Sequence, residues 1–323
     1  MNMKQTALSL TLIAAMFLPA LSRAETTISL GGTAWYVWWK PAWSDNRWQG
    51  YYLWNDSAGY WNEDAKDFGL SSNIMAGPII SIGFLDRWSI SSVAVLGTMS
   101  HKASGVGFGT DVISRTAGAT HKDYSRRVLK WDSDTTVGCA VHKYVKLYAG
   151  FKAQGYRYQE TIHYYDFTAF PDISIDHSEG TNNVNCYGPG LGISGSIPLV
   201  ENLYMVIGLS GVVLWCTERG NTALSRTYGL ESSGFVFTCF YMPRGKFLSY
   251  GGTAALSLAY TIARINTTFS LGGRYQLLYN RQKRGNMVHS DVTMNIIDGQ
   301  YDHFAGITLS VLYTFHIGKR EQS

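Results

Sequence analysis

Residues 307–315 read ITLSVLYTF. Apolar side chains occupy every second position (Ile307, Leu309, Val311, Tyr313, Phe315), with Thr308, Ser310 and Thr314 at alternate positions. A period of two is the mark of a β-strand with two unlike faces. The same pattern runs through 250–262, where Tyr250, Gly252, Ala254, Leu256, Leu258, Tyr260 and Ile262 share a face. It recurs in 268–279, with Phe269, Leu271, Gly273, Tyr275, Leu277 and Tyr279 together. Both segments carry aromatics near the two ends of the apolar face, Tyr250 with Tyr260 and Phe269 with Tyr279. At ~3.3 Å per residue and a tilt of about 40°, that separation spans roughly 25 Å, the height of a lipid-facing band between aromatic girdles. A water-soluble sandwich also alternates, but nothing in it requires aromatics at that spacing.

Composition agrees. Charged residues make up 15% of the 323 residues, and Gly (34) and Tyr (21) are abundant while Pro (7) is scarce. Lys4, the apolar run Ala7–Leu21 and then Ser22-Arg23-Ala24 form a secretory signal, with cleavage expected after Ala24. No later segment is apolar for the length a membrane helix needs. A secreted, half-apolar chain without such a helix points to a transmembrane antiparallel up-and-down β-barrel, the other structure that satisfies its backbone inside lipid. The mature chain is nearly neutral, which argues against nucleic acid as a partner.

Short connections recur at LDRW (85–88), HKYV (142–145), VENL (200–203) and ARIN (263–266), with long polar or aromatic segments between them. Short periplasmic turns alternating with long extracellular loops are the asymmetry of an outer-membrane barrel. Counting gives ten strands between residues 27 and 316. Twelve is the alternative, because 233–242 (SGFVFTCFYM) has the composition of a further arm; the ten-strand reading assigns it to the fourth loop above the membrane. The chain thus divides into a signal (1–24), a barrel (25–316) and a short polar tail (317–323).

The face turned away from lipid carries charge in places. Lys130, Asp132 and Asp134 share it on one strand, Lys152, Gln154 and Glu160 on the next, and Arg274 and Gln276 on a later one. In a barrel this narrow such groups must pair or meet water. They form either an ion-paired plug or a narrow polar channel. The first extracellular segment holds Trp43, Trp48, Tyr51, Tyr52, Trp54 and Trp61 among Asn, Asp and Gly, a surface suited to stacking on a partner or to packing on itself. Trp35, Trp38 and Trp39 are expected in the upper girdle. Arg126, Arg127, Arg281, Lys283 and Arg284 cluster where the wall leaves the membrane, and guanidinium groups pair well with the phosphates of lipopolysaccharide. Cys216 and Cys239 flank the fourth loop and are the expected disulfide in an oxidising compartment. No spacing of Cys, His or carboxylates forms a metal site, and no cofactor is expected.

The second half of the chain resembles the omptins, ten-stranded outer-membrane protease barrels. The resemblance lies in LYAGFKAQGYRY (147–158), GPGLGISGSI (188–197), YNRQKRGN (279–286) and the final LYTF (312–315). It implies the barrel shape and loop order. Omptins cleave with an aspartate pair on the second loop facing an Asp-x-His pair on the fourth. The segment 217–246 contains no Asp and no His, so no catalytic residue is carried over. The ending also resembles the signal read by the barrel-assembly machinery, through Tyr313 and Phe315. Two functions follow: a non-enzymatic pore or binding scaffold in the outer membrane, or an omptin-like or lipid-modifying enzyme working at the extracellular mouth.

Overall fold

The computed structural model describes residues 26–40, 51–54, 57–60, 73–85, 87–110, 117–166, 174–228, 235–241, 244–286, 299 and 301–317. Side chains are described for most of these, but not for 51–60, 101–124, 126, 158, 160–180, 221–244 and 282–286. Among the described residues there are thirteen strands: β1 (Thr26–Lys40), β2 (Tyr51–Trp54), β3 (Ser57–Tyr60), β4 (Asn73–Phe84), β5 (Trp88–Thr110), β6 (Ala117–His142), β7 (Val145–Asp166), β8 (Ser174–Val200), β9 (Leu203–Tyr228), β10 (Phe235–Tyr241), β11 (Arg244–Ile262), β12 (Thr267–Asn286) and β13 (Tyr301–Ile317).

Ten of them close a barrel. Every neighbouring pair is antiparallel, and the ring runs β1-β4-β5-β6-β7-β8-β9-β11-β12-β13 and back to β1. The seam between first and last strands is continuous from Thr26↔Ile317 to Lys40↔His303. Closure leaves no edge strand in hydrocarbon, where an unpaired N–H or C=O would cost several kcal/mol or so. The short β2–β3 hairpin pairs with itself. The segment considered for a further arm forms β10, which pairs with Thr222–Tyr228 at the far end of β9. Lower on β9 the partner is β11, so β10 extends one wall and does not enter the ring.

The two faces behave as their periodicity requires. Outward Leu256, Leu258, Leu271, Leu309 and Ile307 are all about half exposed, whereas the alternate positions face inward. The aromatics at the band edges make contact between strands, as in Tyr250–Tyr279 and Tyr279–Tyr301. The periplasmic turns are tight. Leu85, Asn202 and Asn266 take positive φ at three of them; asparagine tolerates this geometry and Leu85 adopts it at a cost of about 1–2 kcal/mol. A 3-10 turn, Ala263–Ile265, precedes Asn266.

Two Gly-Pro pairs interrupt the pairing ladders of the wall. The β4–β5 ladder passes from Ala76↔Leu96 to Ile79↔Val93, skipping Gly77-Pro78. The β8–β9 ladder passes from Tyr187↔Trp215 to Gly190↔Val212, skipping Gly188-Pro189. Proline has no N–H to contribute. The adjacent glycine lets the neighbouring strand in: a Cβ on Gly77 would stand 1.8 Å from the carbonyl oxygen of Ala94, and one on Gly188 would stand 1.9 Å from that of Val213.

Candidate functional site

The lumen is filled across its upper half. Trp35, Val37 and Trp39 (β1), Met75 (β4), Val95 and Met99 (β5), Val128 (β6), Tyr156 (β7), Val184 and Cys186 (β8), Val212, Leu214 and Cys216 (β9), Phe247 (β11), Leu278 (β12) and Phe304 (β13) form one buried apolar cluster. Each of the ten barrel strands contributes to it. Trp38 stays in the outer girdle at 45% exposure, but Trp35 and Trp39 point inward. That corrects the expectation that all three tryptophans face lipid: Trp38 has the parity of outward Tyr36, and its two neighbours have the opposite one.

The charged layer lies alongside this core. Asp134 stands opposite Lys152 in the β6–β7 register and Asp132 opposite Gln154. Lys152 reaches diagonally instead, giving Asp132 two bonds of 2.7 and 2.8 Å. Both partners are buried, at 4% and 2% exposure. Asp134, more open, lies 4.0 Å from Lys152 and 3.9 Å from Arg274. Arg274 belongs to β12, five strands round the ring from β6. Its contact with Asp134 therefore crosses the lumen. Gln276 of the same strand donates 3.1 Å to Gln154 of β7, and the Arg274 guanidinium covers the Trp35 ring at 4.7 Å. These seven sequence candidates (Lys130, Asp132, Asp134, Lys152, Gln154, Arg274, Gln276) come together inside the barrel. The side chain of Glu160 lies outside the described ones.

Below the charged layer the inner wall carries small and hydroxyl side chains. Ser29 bonds Thr314 at 2.8 Å, Ser81 bonds Ser91 at 2.7 Å, and Ser310 donates 2.9 Å to Thr33. The period-two pattern of the last strand had placed Ser310 and Thr314 on the face turned away from lipid. The large apolar residues on the same face of the upper half were not singled out from sequence, although Met75, Met99 and Phe304 share the parity of the polar set.

The disulfide is a correction. Cys216 bonds Cys186, not Cys239. Cys186 and Cys216 face each other across the β8–β9 hairpin, both on the inward side, whereas Cys239 stands opposite Leu224. Counting outward from the 200–203 turn brings 186 opposite 217; the register shift between Pro198 and Val200 moves the partner by one residue to Cys216. Cys139 is a free thiol. Among the described residues no group of three His, Cys, Asp or Glu could hold a metal ion.

Outside the barrel, Arg127 and Arg281 are exposed, as are Lys40, Arg157, Arg219 and Lys246. The side chains of Arg126, Lys283 and Arg284 lie outside the described ones. So do those of Tyr51, Tyr52 and Trp54, which fall in β2, and residues Trp43, Trp48 and Trp61 altogether. On the lipid-facing wall a groove of about 1110 Å³ is floored by Gly211, Gly252 and Ala254, with Leu191, Tyr250 and Tyr279 among its sides.

The fold and its sidedness define a class: a closed ten-stranded antiparallel barrel of the outer-membrane type. No family model and no curated protein matches the chain. Among solved structures it is similar to the outer membrane protease OmpT from Escherichia coli, at 11% identity and a TM-score of 0.45, covering 90% of this chain and 96% of that one. It is also similar to the Ralstonia pickettii toluene transporter TbuX, at 7% identity and a TM-score of 0.25 over 92% and 90% of the two chains. A Pseudomonas aeruginosa FadL homologue follows at 7% identity and a TM-score of 0.20, over 91% and 90%.

Proposed function

We propose that this protein is a non-conducting scaffold in the outer membrane of a Gram-negative-type bacterium, exported by the signal in residues 1–24, that presents its extracellular loops as a binding surface. One observation carries the reading: all ten strands contribute to an apolar core across the upper lumen, backed by an ion pair and an amide pair that span its diameter. A pore selects ions with solvated charges along a continuous water path, and an apolar plug with paired charges offers none. In planar bilayers the purified protein is expected to give no steady current. Stable single-channel steps at low voltage would overturn the proposal.

The exposed cations above the girdle favour phosphorylated glycolipid as the surrounding partner. Arg219, Lys246 and Arg281 lie on three adjacent strands of the wall that carries the groove. A saturated chain fits the glycine floor between leucine and tyrosine sides, with phosphate reaching the basic residues above. Replacing Arg219, Lys246 and Arg281 together by alanine is expected to weaken lipopolysaccharide binding about tenfold or more, since charge-assisted bonds contribute about 1.5–3 kcal/mol each. Undiminished affinity in a pull-down from defined vesicles would remove this partner.

A further inference from the structure

Among the lumen candidates whose side chains are described, Lys130 is the one without a polar partner. Its side chain is 3% exposed. Its ammonium lies 4.2 Å from the centre of the Trp39 ring, 5.4 Å from that of Phe304 and 6.0 Å from that of Tyr156. Among the described residues it makes these contacts and no hydrogen bond or ion pair. Ring faces attract a cation, but they leave its N–H groups without acceptors, and a buried charge in that state costs several kcal/mol or so.

The ammonium adjoins a small cavity that is also lined by Gln154, Ser249, Asn280 and Asp302. There is room of about 10 Å³ for the centre of a water molecule, close to the minimum that holds one water. The cavity is polar on several sides, as such a site requires. Asp302 already accepts a bond from Trp39 on one carboxylate oxygen, leaving the other. Gln154 accepts from Gln276 on its carbonyl, which leaves its amide N–H groups as donors.

We propose that this cavity is a specific site for one water molecule, which accepts from Lys130 and donates to Asp302. The result is a water-bridged ion pair joining β6 to β13 across the lumen. A halide is the competing occupant, since Lys130, Gln154, Asn280 and Ser249 all present donors. Charge decides against it. Among the described residues of this layer, Lys130, Lys152 and Arg274 are matched by Asp132, Asp134 and Asp302, so an added anion would be unpaired beside a carboxylate.

The test uses the intact wild-type protein, crystallised from detergent in sodium bromide, with diffraction data collected at the bromine edge. One oxygen-sized peak within hydrogen-bonding distance of both Lys130 Nζ and the Asp302 carboxylate, without anomalous signal, is the expected result. An anomalous peak there would make the site a halide site and overturn the proposal. So would a cavity without density, or a peak that touches only one of the two charged groups.

Discussion

Lys152→Met is expected to lower the stability of the folded barrel by about 3–5 kcal/mol, the usual consequence of breaking a buried ion pair by removing one partner. Asp132 accepts two bonds from Lys152 and is almost fully buried, so the substitution strands a carboxylate between β6 and the apolar core. Removing both charges in Lys152→Met/Asp132→Leu is expected to recover most of the loss, because the cost lies in the orphaned charge and not in the absence of the pair. Urea unfolding in lipid vesicles, read by intrinsic fluorescence, gives all three stabilities. A single variant as stable as the parent would mean that water reaches Asp132 freely, and the closed-lumen reading would fail with it.

The second large effect comes from neighbouring tryptophans. Trp39→Ala is expected to cost about 3–5 kcal/mol, and Trp38→Ala at most about 1 kcal/mol. Trp39 is 1% exposed; its ring packs on Tyr156 at 5.1 Å and covers the Lys130 ammonium, and its indole N–H donates to Asp302. Deleting it opens a cavity, uncovers a buried cation and removes a donor from a carboxylate at once. Trp38 faces the hydrocarbon edge and packs edge-on against Tyr36 at 4.9 Å, where lipid replaces the lost ring. Equal losses for the two variants in the same vesicle assay would contradict the assigned sidedness of β1.

These two predictions rest on different kinds of information. The Lys152–Asp132 neighbourhood was legible from sequence, because both residues fall on the polar parity of adjacent strands joined by the tight 142–145 turn. That Lys152 takes Asp132 and not the directly opposite Asp134 was not legible: the choice depends on where the apolar core excludes water. Trp39 is the opposite case. A run of tryptophans at a strand's outer end reads as girdle, and composition alone does not separate the ring in lipid from the ring in the lumen. Parity within the run separates them only once the strand's register on β13 is known, as in Trp39↔Phe304.

By itself the sequence determined that ten strands close the barrel, which face of most of them meets lipid, and where the tight turns fall, since these follow from period-two alternation, aromatic spacing and local turn chemistry. Its hairpin count comes within one residue of pairing Cys186 with Cys216, and the irregularity between Pro198 and Val200 supplies the remaining shift. Only the tertiary structure decided what fills the hollow. Closing ten tilted strands brings β12 against β6 and β13 against Lys130, and contacts across a diameter join residues more than a hundred positions apart. No local pattern encodes such meetings; they depend on the curvature and stagger of the whole ring.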